Sequence, residues 1–120
     1  MRIQALMTAA LLLLPAGQAL AHARLVKADP AVGSVQAHPP GRIWLKFNDV
    51  IRPGASGVKL TWPDGHSALL TPLTKDPRDP EAVLAPTPGV LPAGRYKVEW
   101  RALSPDGHRT QGDFGFTVKP

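Results

Sequence analysis

The chain has 120 residues, no cysteine, and fourteen lysines and arginines against nine aspartates and glutamates, a formal charge of +5. Disulfides, thiolate ligands and a lipid-modified cysteine are therefore excluded, and this length fits one domain. The basic residues, among them Arg42, Lys46, Lys59, Arg95, Lys97 and Arg101, are scattered, which argues against nucleic acid and for solvated strand surfaces, although such a surface also suits an acidic loop or anionic membrane face.

Met1-Arg2 supplies a positive start, Ala5 to Leu14 an apolar run, Pro15 and Gly17 a break, and Ala19-Leu20-Ala21 a small-residue cleavage signal. This pattern predicts a secretory signal peptide over 1–21 and an exported product. The apolar run is about half the roughly twenty residues a spanning helix needs, so no membrane insertion is expected. Cleavage after Ala21 leaves one domain over 22–120, beginning at His22; cleavage after Ala23 also satisfies the small-residue rule. Met1 and Met7, the two methionines, leave with the signal, so the processed chain contains no sulfur.

The chain from residue 22 onward reads as short strands. A first strand is expected around Arg24 to Ala28, ended by Asp29-Pro30 and Val32-Gly33-Ser34, and His38-Pro39-Pro40-Gly41 is a second break. Arg42 to Asn48 alternates, with Ile43, Leu45 and Phe47 on one face and Trp44 and Lys46 on the other. Ile51 to Gly57 is irregular. Val58, Leu60 and Trp62 mark a strand that turns through Pro63-Asp64-Gly65 and His66 into Ala68 to Leu70. Pro72 to Pro80, with three prolines, reads as loop, and Ala82 to Leu84 as a short strand. Tyr96, Val98, Trp100 and Ala102 alternate with charged residues, and Phe114, Phe116 and Val118 repeat the pattern beyond a Ser104-Pro105-Asp106-Gly107-His108 loop.

About seven short strands, frequent turns and no helical period predict an all-β, immunoglobulin-like Greek-key sandwich, with a small barrel as the alternative. Tyr96, following Leu91-Pro92-Ala93-Gly94, resembles the tyrosine corner of such sandwiches. Pro63-Asp64-Gly65-His66 and Pro105-Asp106-Gly107-His108 are the same four residues, 42 positions apart, but their flanks differ and Pro-Asp-Gly is generic turn chemistry.

An N-terminal histidine offers its amine and ring Nδ1 to one metal as a six-membered chelate. Adding the Asp106 carboxylate and the His108 imidazole gives three nitrogens and one oxygen, a set that suits tetragonal Cu(II). Cu(I) prefers sulfur, which the processed chain lacks, while zinc would accept the same donors tetrahedrally. His38, before two prolines, and His66, after a hairpin turn, are weaker candidates.

Several motifs carry a family resemblance. His22 behind a signal, Asp29-Pro30-Ala31-x-Gly33-Ser34, Ile43-x-Leu45-x-Phe47 and Gly94-x-Tyr96-x-Val98-x-Trp100-Arg101-Ala102-x-Ser104-x-Asp106-Gly107-His108-x-x-x-Gly112 together resemble the CopC family of periplasmic copper-resistance proteins. The resemblance implies a periplasmic, non-catalytic domain, expected to be monomeric. It would hold one Cu(II) per chain through the amine and ring of His22 with Asp106 and His108, and deliver copper to an inner-membrane CopD-type partner. It further implies Asp49 as a group that hydrogen-bonds the terminal amine, and Trp100 as packing near the metal. Where some members carry a methionine-rich Cu(I) loop, this chain has Leu60-Thr61-Trp62-Pro63-Asp64-Gly65-His66, which retains only His66. Two other readings are a histidine-brace copper oxidase or monooxygenase and a metal-free accessory domain. The small size and the Asp106 ligand weigh against the first, and tight copper retention would exclude the second.

Overall fold

Alternation of apolar and polar side chains drives the longest pairing in the molecule. In the computed structural model, which describes residues 23–120, strands β8 (Gly94–Leu103) and β9 (Arg109–Val118) run antiparallel in unbroken register from Gly94↔Val118 to Leu103↔Arg109. The expected signal peptide, 1–21, and His22 lie outside the described residues. Because successive side chains point to opposite faces, Tyr96, Val98, Trp100 and Ala102 turn inward together with Phe114, Phe116 and Val118, and all are buried.

Seven further strands complete two sheets among the described residues: β1 (Leu25–Asp29), β2 (Val35–Gln36), β3 (Arg42–Phe47), β4 (Gly57–Thr61), β5 (Ser67–Leu69), β6 (Thr74–Asp76) and β7 (Asp79–Pro86). The sheet orders are β1-β3-β7-β6 and β2-β9-β8-β4-β5. The core lies between the sheets, where Ile43, Leu45 and Phe47 of β3 face Val98 and Trp100 of β8. Phe47 meets Trp100 edge-on with centroids 5.2 Å apart, and Tyr96 stacks on Phe116 at the same separation. The Tyr96 hydroxyl donates to the Pro92 carbonyl at 2.6 Å, which is the expected tyrosine corner.

Strands form in two places where sequence gave only punctuation. Pro72 to Pro80, expected as loop, instead contains β6 and the start of β7, paired across a tight turn. Arg78 N–H bonds Asp76 Oδ1 and Glu81 N–H bonds Asp79 Oδ1, while the Trp44 indole N–H donates to Asp76 Oδ2 at 2.8 Å. The prolines are tolerated because none takes a paired position: Pro72 precedes β6, Pro77 is in the turn, and Pro80 of β7 falls at the register shift and has no partner in either neighbouring strand. Likewise β2 adds a two-residue parallel pairing with β9, led by a Gly33 N–H to Gly115 carbonyl bond of 2.7 Å.

Three segments meet at one end of the sandwich. They are the start of the described chain, the loop after β3, and the turn joining β8 to β9. Arg24 and Asn48 are hydrogen-bonded to each other, and Arg52 N–H bonds the Leu103 carbonyl at 3.0 Å. The β4–β5 hairpin turn lies at the opposite end, because Thr61 pairs with Lys97 and Gly57 with Arg101.

Candidate metal centre

The turn that carries Asp106 and His108 is built by its own backbone and by one buried hydroxyl. Gly107 N–H bonds the Ser104 carbonyl and Ser104 N–H bonds the His108 carbonyl, each at 3.0 Å. Gly107 takes φ +87°, a conformation that glycine adopts without strain. Ser104 is only 1% exposed and its hydroxyl contacts Asp106 Oδ1. The same oxygen accepts the His108 N–H at 3.1 Å, and His108 Nδ1 lies 2.9 Å from Asp106 Oδ2.

These contacts set the protonation chemistry. The Ser104 hydroxyl, then the His108 ring, then the His108 N–H hold the Asp106 carboxyl far below the usual carboxylate range. Asp106 is thus an anion across neutral and mildly acidic pH, and a metal need not displace a proton from it. His108 Nδ1 faces Asp106 Oδ2, which turns Nε2 away from that carboxylate, so the ring would have to swing out of this contact for both residues to hold one ion. A carboxylate oxygen can accept two partners; Oδ1 already has two and Oδ2 one, so the capacity left for a cation is on Oδ2.

The start of the chain is fastened beside this turn. Thr110 Oγ1, two residues beyond His108, donates to the Ala23 carbonyl at 2.8 Å. On the other side Arg24 N–H donates to Asn48 Oδ1 at 2.7 Å, and Asn48 N–H donates to the Arg24 carbonyl at 3.0 Å. Ala23 itself is 1% exposed and belongs to the core. A cleft of about 400 Å³ lies alongside, lined by Ala23, Arg24, Trp100, Thr110, Gly112 and Phe114.

Asp106 and His108 are therefore brought together, and the residue next to His22 in the chain is bonded close to them; His22 itself lies outside the described residues. Among the described residues no group of three or more histidine, cysteine, aspartate or glutamate side chains gathers to hold a metal. Asp49 is half-buried and its Oδ1 accepts the adjacent Val50 N–H at 2.7 Å. Trp100 is core, 8% exposed, and lines the cleft beside Ala23 and Thr110. His38 is exposed.

The echoed turn reproduces the geometry but not the setting. At Asp64–His66 the same carboxylate-to-backbone bond measures 3.1 Å, His66 Nδ1 again meets the aspartate, and Gly65 takes φ +94°. Where the first turn begins with buried Ser104, this one begins with Trp62, whose ring stacks on His66 with centroids 4.4 Å apart. By register the two turns are separated along β8 by Lys97 to Leu103, about 20 Å at strand rise, so they cannot share one ion. Sequence reasoning passed over three supporting residues: Ser104, Asn48 and Thr110. Thr110 had one signal, a hydroxyl on the β9 face otherwise given to Phe114, Phe116 and Val118.

Comparison with known proteins places this geometry in context. The family model described as the CopC domain matches residues 25–119. Copper resistance protein C of Escherichia coli is 34% identical over 97% of this chain and 96% of its own length. Among solved structures, CopC from Methylosinus trichosporium OB3b superposes with a TM-score of 0.73 at 30% identity, covering 82% of this chain and 95% of that one. PcoC, a methionine-rich copper resistance protein from Escherichia coli, gives 0.72 at 33% identity, covering 82% and 100%.

Proposed function

This chain belongs to the CopC family, and on that premise we propose that it is a periplasmic Cu(II) carrier whose ion is held by the amine and ring of His22 with Asp106 and His108. A copper-binding role follows from the family. The finer assignment is supported by one observation above the rest: the Ala23 carbonyl, one residue after His22, is bonded to Thr110, two residues after His108. A terminus created by cleavage after Ala21 would start beside the only two ligand-type side chains of that turn. Cleavage after Ala23 would delete a buried core residue and the carbonyl that Thr110 binds.

The chemistry is capture of a cargo ion, one per chain, rather than turnover. Asp106 enters already ionised, so proton competition comes from the terminal amine and the imidazole nitrogens, which must be free of protons to bind a metal. Affinity should therefore fall as the pH drops below neutral. Ser104 and the turn backbone fix Asp106 and the His108 backbone before the ion arrives, the His108 ring turning to join, and Asp49 and Trp100 would support the site from the flank. Export by the 1–21 signal and transfer to an inner-membrane CopD-type partner complete the role. The processed chain, having no sulfur, is suited to Cu(II) rather than Cu(I).

The test is a Cu(II) titration, against a competing chelator, of processed protein whose terminus is verified by mass. One equivalent should bind with a tetragonal paramagnetic signal. His108→Ala should weaken binding by more than the roughly 10- to 100-fold that loss of a supporting group costs. Unchanged affinity in that variant would remove the turn from the site.

A further inference from the structure

The first two described residues are held more firmly than strand pairing requires. Strand β1 begins at Leu25, yet Ala23 and Arg24 already make three hydrogen bonds, one to β9 and two to the loop that follows β3. Asn48, just past the end of β3, brackets Arg24 by accepting its N–H and donating to its carbonyl. Thr110 belongs to β9 in the other sheet, where its hydroxyl reaches the Ala23 carbonyl. Thr110 pairs with Ala102, on the inward row of β9. A hydroxyl there costs free energy unless it is bonded, and the Ala23 carbonyl accepts its hydrogen bond. As a β-branched residue on a regular strand, threonine also has few χ1 options, so the hydroxyl is aimed rather than free to swing.

We infer that Thr110 and Asn48 are positioning residues that fix the register of the chain terminus against the Asp106–His108 turn before any metal binds. Thr110 follows His108 by two residues on the same backbone, so this one bond ties the terminus to the ligand turn without passing through the rest of the fold. The ordering entropy of the terminal segment is then met during folding and not charged against metal capture. The inference rests on the proposed reading of His22 as a ligand.

The test compares Thr110→Val, which keeps the shape, with Thr110→Ser, which keeps the hydroxyl, using Cu(II) alone as the probe. Thr110→Val should bind about tenfold more weakly, in line with the loss of other groups that orient metal ligands. Its paramagnetic spectrum should acquire a second copper species, while Thr110→Ser should match the parent in both respects. A merely structural role would lower the melting temperature of the metal-free protein without changing the copper spectrum. Each version is also made with one extra N-terminal residue. If Thr110 acts through the terminus, the valine penalty disappears in the extended chain, a coupling that a double-mutant cycle reads directly. Copper binding that ignores the extension would sink the His22 reading. Binding that depends on the extension but not on the Thr110 hydroxyl would overturn this inference alone. Should Thr110→Val not fold, amide exchange of Arg24 in the metal-free parent decides: protection is expected, and exchange at the rate of an open chain would refute the clamp.

Discussion

Replacing Gly112 by alanine should unfold the domain at markedly lower temperature, because the new methyl group would collide with a buried indole. A Cβ at position 112 would sit 2.6 Å from Trp100 Cζ2 and 2.8 Å from its Cε2. Favourable carbon contacts begin near 3.5 Å, so the overlap is about 1 Å. Gly112 is not among the glycines with positive φ, so the effect is steric and not a matter of backbone freedom. The indole cannot easily yield, because it is 8% exposed and packed edge-on against Phe47. Overpacking of this kind costs about 1 to 3 kcal/mol. For a domain of this size each kcal/mol lowers the melting temperature by about 4 to 8 °C. Circular dichroism melts of the metal-free protein would measure the shift, with tryptophan emission reporting the displaced ring. Gly41→Ala is the control, since nothing lies within 4 Å of its added Cβ and its φ is not positive. A Gly112→Ala melting point within about 2 °C of the parent, with unchanged emission, would refute the reasoning.

Three other outcomes are expected. Tyr96→Phe removes the donor to the Pro92 carbonyl and should cost about 1 kcal/mol in urea unfolding, with the slope unchanged. In acid, the relevant groups are Asp64, held low mainly by the His66 N–H, Asp76 by the Arg78 N–H, Asp79 by Lys46, Glu99 by Lys59 and Asp106 by Ser104. Their folded pKa values are depressed, so their stabilisation is complete above the unfolded value of about 4 and lost as pH falls through the folded ones. The urea midpoint should accordingly hold from pH 7 to about 5 and decline below about 4; a midpoint constant to pH 3 would contradict those bonds. Finally, stripping Cu(II) from loaded protein with a chelator should remove about 4 kcal/mol of apparent stability if free copper had stood a thousandfold above the dissociation constant, and an identical melt with and without copper would contradict binding to the folded state.

The sandwich was legible wherever one strand face is buried and the other wet. Period-two alternation in Arg42–Phe47 and in the Tyr96 and Phe114 stretches reports a one-sided core, and the Tyr96 corner follows from a buried ring that needs one acceptor. Strand β2 was not legible, since its two residues are set by pairing with β9, far away in sequence, and β6 was not because the prolines on either side of it read as loop. At the site, Asp106 and His108 stood out by chemistry and spacing. The identical Asp64–His66 turn shows why spacing is insufficient: local sequence fixes local geometry in both places, and only the tertiary setting separates them. The Thr110 hydroxyl and the Asn48 side-chain oxygen bond to backbone atoms of Ala23 and Arg24, partners that carry no residue-specific mark in a sequence, so their roles emerged only when the strands were placed.

Copper capture as proposed depends on His22, and adding a single residue before it tests that most directly. The processed chain and the extended chain would be loaded with one equivalent of Cu(II) and compared by electron paramagnetic resonance. The extension converts the terminal amine into an amide and displaces the chelate, so the tetragonal nitrogen-rich signal should vanish and affinity should collapse. An unchanged spectrum from the extended chain would show that the ion is held elsewhere and would contradict the proposed centre.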